Sequence, residues 1–181
     1  MHRARVRRRV AVVIGLCFAS FAVSDLAVAD TYGLGPPDHG YRPDNFDHDW
    51  CWSTGWPGGS WSTDATARHT YLNDTTNFSG GSLQTCNSGT DVYWKASTTQ
   101  TAYGSYICDD LNSGICDNAS ITILNSTILP QSNRRKTMCH ELGHTGGLAH
   151  YSGTTLDCMV SGLVTNTTYR AHAISHLNAL G

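Results

Sequence analysis

The chain has 181 residues, with 12 Lys plus Arg, 14 Asp plus Glu and a formal net charge of −2. Charged side chains make up only 14% of it, where a soluble domain typically carries about a quarter, so Ser, Thr, Asn and Gly supply the polarity. This balance gives no electrostatic footing for nucleic acid or an anionic membrane as partner, and five tryptophans with apolar periodic segments argue against disorder.

Residues 1–29 read as a signal peptide. MHRARVRRRV is basic, AVVIGLCFASFAV is apolar, and Ala27 and Ala29 form an A-x-A cleavage signal before Asp30. The apolar run is short for a bilayer, and Ser24 and Asp25 interrupt it. A secreted chain without a membrane anchor is therefore expected. Cleavage leaves one domain's length of chain, with Lys plus Arg at 7, Asp plus Glu at 13 and a net charge of −6. Cys17 leaves with the signal, and Cys51, Cys86, Cys108, Cys116, Cys139 and Cys158 remain. An even number in an oxidising compartment predicts three disulfides, for which six cysteines allow 15 pairings.

Residues 30–49, rich in Pro and Asp, read as an extended N-terminal arm. The folded domain then runs from 50 to 181. Its first helix is expected in WSTDATARHTYLND, capped by Ser62 or Thr63. Three strand-like runs follow: DVYWKAS (91–97), AYGSYIC (102–108) and ASITILN (119–125). Cys108 and Cys116 flank the turn-like DDLNSGI and are placed to staple it. After Pro130 a second helix is expected, capped by Ser132 or Asn133 and running into CHELGHTGG. The last periodic segment is TTYRAHAISHLNALG, with Tyr169, Ala173, Ile174, Leu177 and Leu180 near one stripe. Helix, strands, helix, irregular stretch, helix is an α+β order.

Within CHELGHTGGLAH (139–150), Glu141 is the only glutamate of the chain. Residues four apart on a helix share a face, so His140 and His144 can grip one ion. Glu141 lies about 100° round from His140, where its carboxylate can reach a water beside the ion without occupying a ligand position. H-E-x-x-H on a helix thus reads as a zinc site with its own general base. His150 falls on the wrong side of a continuous helix, so Gly146 and Gly147 must end the helix and turn the chain back. Three histidines and an open fourth position describe a catalytic zinc site.

HELGHTGGLAH fits H-E-x-x-H-x-x-G-x-x-H at every specified position, with Gly147 as its glycine, and Met159 in LDCMVSG follows His150 by nine residues. In this the chain resembles the metzincin zinc endopeptidases, whose motif is followed by a Met-turn, and in particular their small secreted matrixin-like and snapalysin-like members. The likeness is carried by the chain from about residue 119 onward. It implies a mixed twisted sheet with the active-site helix in an upper subdomain (50–147) and a small irregular lower subdomain (148–181) ending in a helix. It implies one catalytic Zn2+ on His140, His144 and His150, with Glu141 as base. Met159 is implied beneath the ligands, and a peptide or protein substrate lies extended along an edge strand, AYGSYIC, with residues 160–164 walling the pocket. Ser161 stands where astacin-like and serralysin-like branches carry a tyrosine. A Met-turn beneath the zinc brings Cys139 and Cys158 together, and Cys51–Cys86 and Cys108–Cys116 are then the remaining pairs.

Further readings accompany this one. His172 and His176, four apart on a helix, are a weaker metal pair, and Asp109, Asp110 and Asp117 are candidates for a structural Ca2+. A secreted zinc amidase on a non-protein amide, or a non-catalytic zinc-containing binding module, are the alternatives to an endopeptidase. A monomer is expected.

Overall fold

The structure, a computed structural model, describes residues 41–151 and 157–179. The proposed signal peptide, the arm up to residue 40, Cys17 and Leu180 lie outside the described residues. The elements are β1 (Arg42–Pro43), β2 (Trp50–Trp52), α1 (Ser60–Thr75), β3 (Val92–Ser97), β4 (Gly104–Asn112), β5 (Ile115–Leu124), α2 (Gln131–Thr145) and α3 (Ala171–Asn178). The described residues form a mixed α/β fold with a parallel-stranded sheet core and three helices.

β5 is the centre of the sheet. It pairs in parallel with β3, which pairs in parallel with β2, and on its other side it pairs antiparallel with β4. β1 pairs in parallel with β5 at Ile115 and Cys116, which β4 also pairs, so β1 lies on the β3 side. β4 is the antiparallel edge strand. Val92 and Trp94 of β3 stand opposite Ala119 and Ile121 of β5 and share one buried face with Ile123 and Trp50. Two-sided burial is the ordinary condition of parallel strands, and here the covered face meets the helices. α2 packs on β4, β5 and α1. His69 of α1 stacks on Trp50 at 4.0 Å and accepts a hydrogen bond from Trp94 Nε1 at 3.0 Å.

Several boundaries differ from the sequence expectation. α1 begins at Ser60 behind Gly59, ahead of Ser62 and Thr63, and α2 begins at Gln131 behind Pro130. Neither helix has a side-chain cap. Proline suits such a start, because it has no N–H to leave unpaired. DDLN, expected in a turn, is strand: β4 and β5 form one long hairpin closed at Ser113–Gly114, both with positive φ (53° and 83°), the signature of a two-residue turn that matches strand twist. The register shifts between Cys108 and Leu111, a bulge that frees the aspartates from the core face. The arm's last residues are not a solvated tail either. Arg42 and Pro43 pair with β5, and His48 is buried.

The three cysteine pairs are Cys51–Cys86, Cys108–Cys116 and Cys139–Cys158. Among the described residues no helix is long and apolar enough to cross a membrane.

Candidate metal centre

α2 carries His140 and His144 one turn apart and ends at Thr145. Gly147 then takes φ +84°, and Leu148 N–H donates back to Gly143 C=O at 3.0 Å, a closure of the Schellman kind that needs a left-handed residue. Gly146 serves differently from expectation. Its φ is an ordinary −84°, but a Cβ there would meet Leu177 of α3 at 2.6 Å. The reversal brings His150 to the two helical histidines. Ring centroids are 4.8 Å apart for His140–His144 and 4.9 Å for each of the other two pairs. Their ligand atoms lie within 4.8 Å of one another. This is the only group of three or more His, Cys, Asp or Glu that so converges among the described residues.

The second ring nitrogens are fixed. His140 Nδ1 lies 2.8 Å from Cys158 C=O and His144 Nδ1 lies 2.7 Å from Leu148 C=O. A carbonyl can only accept, so each Nδ1 carries the proton and each Nε2 presents a lone pair to the shared point. Burial, with His144 and Lys136 nearby, pushes His140 down to about 2, so its ring is neutral. Neutral imidazoles oriented by backbone carbonyls are the donor set a zinc ion takes.

The loop from Asp157 to Val160 packs against α2. Met159 is 2% exposed and lies against Gly143 of α2, where any Cβ would collide with its sulfur. Cys158 holds α2 twice, by its disulfide to Cys139 and by its carbonyl on His140. Asp157, absent from the sequence reading, ties the turn: its carboxylate accepts from Met159 N–H at 2.7 Å and Arg170 N–H at 3.0 Å. The first of these is an Asx-turn, legible in principle from an Asp two residues before Met159.

Glu141 is 6% exposed, and no described residue donates a hydrogen bond to it. Burial pushes its carboxyl up to about 7, with Lys136 opposing. It borders the same cavity, of ≈ 370 Å³, as the three histidines. The opposite wall is Tyr103 and the start of β4, Gly104, Ser105 and Tyr106, with Lys136, Thr137, Ser161 and Gly162 completing it. Ser161 and Gly162 fall within the expected wall 160–164. Gly104 is a close approach: a Cβ there would sit 2.6 Å from Glu141 Oε1. Lys136, Gly104 and Tyr106 were not singled out from sequence; Lys136, one turn before His140 on the same face, had the spacing to be found.

The other metal candidates are not assembled in this way. Asp109 accepts a hydrogen bond from Ser120 and lies 3.9 Å from Lys95 Nζ, while Asp110 and Asp117 border a separate hollow with Asp44. His172 and His176 have their Nε2 atoms 2.9 Å apart, and among the described residues neither belongs to a converging group of three such side chains. No protein-family model matches the chain and no curated protein matches it in sequence.

Proposed function

We propose that this chain is a secreted zinc-dependent endopeptidase of the metzincin type. The observation that carries the reading is the convergence of three imidazoles from a helix and its reversal, beside a buried carboxylate that receives no hydrogen bond among the described residues. Zinc on His140, His144 and His150 supplies Lewis acidity to a carbonyl and acidifies water when bound. The chain's own residues do the rest. Glu141 removes the proton from the attacking water and passes it to the leaving amine, as a buried carboxyl with a pKa near neutrality is suited to do. The edge of β4 away from β5, unpaired among the described residues, offers backbone N–H and C=O groups to an extended peptide, which adds to the sheet as a further strand. Supporting the family reading are the reversal at Gly147, Met159 packed against Gly143, and an antiparallel edge strand bordering the cavity.

Incubation with casein and a mixed peptide library, with mass-spectrometric mapping of cut sites, tests the proposal. Internal cleavage that stops with a zinc chelator and returns with zinc is expected. Cleavage that survives full metal removal, or no cleavage by the zinc-loaded chain, overturns it; release of a non-protein amide with no peptide cut transfers the site to the amidase reading.

A further inference from the structure

On the far side of α1 from the histidine cavity, a second hollow lies between that helix and the β2 edge of the sheet. It has a volume of ≈ 570 Å³, within the range of small-ligand sites. One wall is Trp52 with Leu83, which is 50% exposed; the other is a row of hydroxyls from Ser62, Thr63, Thr66 and Thr70. Residues 63, 66 and 70 fall on one helix face by their spacing of three and four. Among the described residues no charged side chain lines the groove.

Two details separate this surface from an ordinary polar helix face. The first is the rigidity of the aromatic wall. Trp56 stacks on Trp52 with centroids 5.3 Å apart and 5° between planes, and Trp56 is itself held by a hydrogen bond from its Nε1 to Ser62 at 3.0 Å. The Trp52 plane is thus set before any ligand arrives, which lowers the ordering cost of binding. The second is the state of the hydroxyls. Thr75 and Thr76 bond back to carbonyls one turn earlier, at 2.6 and 2.7 Å. Thr66 and Thr70 make no such bond among the described residues, so their hydroxyls remain available to a ligand.

The lining selects among ligand classes. An anion or nucleotide needs a cation, and none lines the groove among the described residues. A purely apolar ligand desolvates the hydroxyls without replacing their hydrogen bonds, at a cost. A neutral pyranose presents an apolar CH face to an aromatic plane and hydroxyls around its rim, so it satisfies both walls at once. We propose that this groove binds a neutral glycan chain, with a sugar ring stacked on Trp52 and hydroxyls bonded to Thr66 and Thr70. The site does not depend on the metal or on the peptidase reading.

The test is depletion of the full chain from solution by suspensions of cellulose, chitin and xylan, with an anionic polysaccharide as control. Saturable retention on at least one neutral glycan is expected, competed by soluble oligosaccharide of the same kind and unaffected by a metal chelator. The Thr66→Lys/Thr70→Lys double variant changes a half-buried and an exposed position on the groove side of α1 and is expected to keep its circular dichroism spectrum; its retention falls by about tenfold or more. Trp52→Ala is expected to do the same, and the threonine pair decides the matter if Trp52→Ala fails to fold. No retention on any neutral glycan overturns the proposal. So does retention that the threonine substitutions leave unchanged, or retention confined to the anionic matrix.

Discussion

A general base must be both free and aimed, and Glu141 meets these conditions through its neighbours. Its carboxylate has no hydrogen-bond donor among the described residues, so nothing within the fold competes for the proton it would take. Its direction is set by Gly104 on the facing strand, which leaves room for Oε1 only because it lacks a Cβ. Glu141→Gln is expected to retain zinc at wild-type stoichiometry while turnover falls by about 10²–10⁴-fold; near-normal turnover in the metal-loaded variant removes the general-base role. Gly104→Ala acts on the same carboxylate indirectly. The new methyl meets Thr137 Cγ2 as well as Oε1, the latter at 2.6 Å, so the carboxylate has to shift, and a misplacement of about 1 Å costs about 10²-fold in rate. Zinc content should be unchanged, so equal rates with equal metal would show that the position of Glu141 is not critical. The converging histidines were legible in the sequence because His140 and His144 share a helix face and the glycines before His150 mark the reversal that returns it. Gly104 and Lys136 were not, since what they touch is decided by a strand and a helix that pack only in the folded chain.

At the level of elements, α2 is held at both ends by contacts of unequal visibility. Near its N-terminus, Asp64 of α1 is buried and receives Arg134 at 2.5 Å and Arg135 at 2.6 Å. Burial alone would raise the Asp64 carboxyl, but hydrogen bonds from Arg134, Arg135 and Gln131 outweigh it and hold the group below the ordinary carboxylate value. Asp64→Asn leaves Arg134, itself 8% exposed, without its counter-charge. The expected loss is about 3–5 kcal/mol, read as a lowered urea midpoint; a change within error would mean that water replaces the carboxylate. Toward the C-terminus, Cys158 grips Cys139 and His140 together. Replacing both cysteines by Ala opens a loop whose ends are 19 residues apart, costing about 3 kcal/mol on the chain-entropy account. It also loosens a carbonyl that orients a ligand, for which zinc affinity should fall about 10–100-fold. Unaltered zinc affinity in a folded double variant would mean the disulfide supports the fold alone. The expected pairing of Cys139 with Cys158 agrees with the structure, as do the other two pairs. The β4–β5 hairpin was underestimated for a physical reason: its aspartates have low strand propensity, and only the bulge and the Cys108–Cys116 link let them ride in a strand.

For the whole molecule, the least legible feature was the core beneath α1. Sequence reading supplied a helix and three strands, but the parallel order β2–β3–β5 depends on which strand the chain returns to, and local pattern does not encode that. The same order buries two histidines that no motif marks. His69 lies between Trp50 and Trp94, and His48 packs on Phe78 with ring centroids 4.7 Å apart. Nδ1 of His48 has no hydrogen-bond partner among the described residues. Burial pushes His48 down to about 4 from its ordinary 6.5, and His69 is lowered by burial and by its neighbour His48. The consequence is a pH-dependent stability. Between pH 6.5 and about 4 the unfolded chain binds protons that the folded chain refuses, so folding stability is full above the unfolded pKa and declines as pH falls through this window. His48 alone accounts for a decline of about 3 kcal/mol. Urea midpoints of the chelator-stripped chain, measured from pH 7.5 to 4, should fall steadily below 6.5. His48→Phe, nearly the same shape and already next to Phe78, should flatten that slope by up to about 1.4 kcal/mol per pH unit. Metal loss cannot produce this difference, because both proteins are measured without it, and the titratable groups of the ligand histidines are common to both. A variant whose midpoint falls with pH as steeply as the parent chain would show that His48 gains its proton without unfolding, and that its buried ring is reached by water in the folded state.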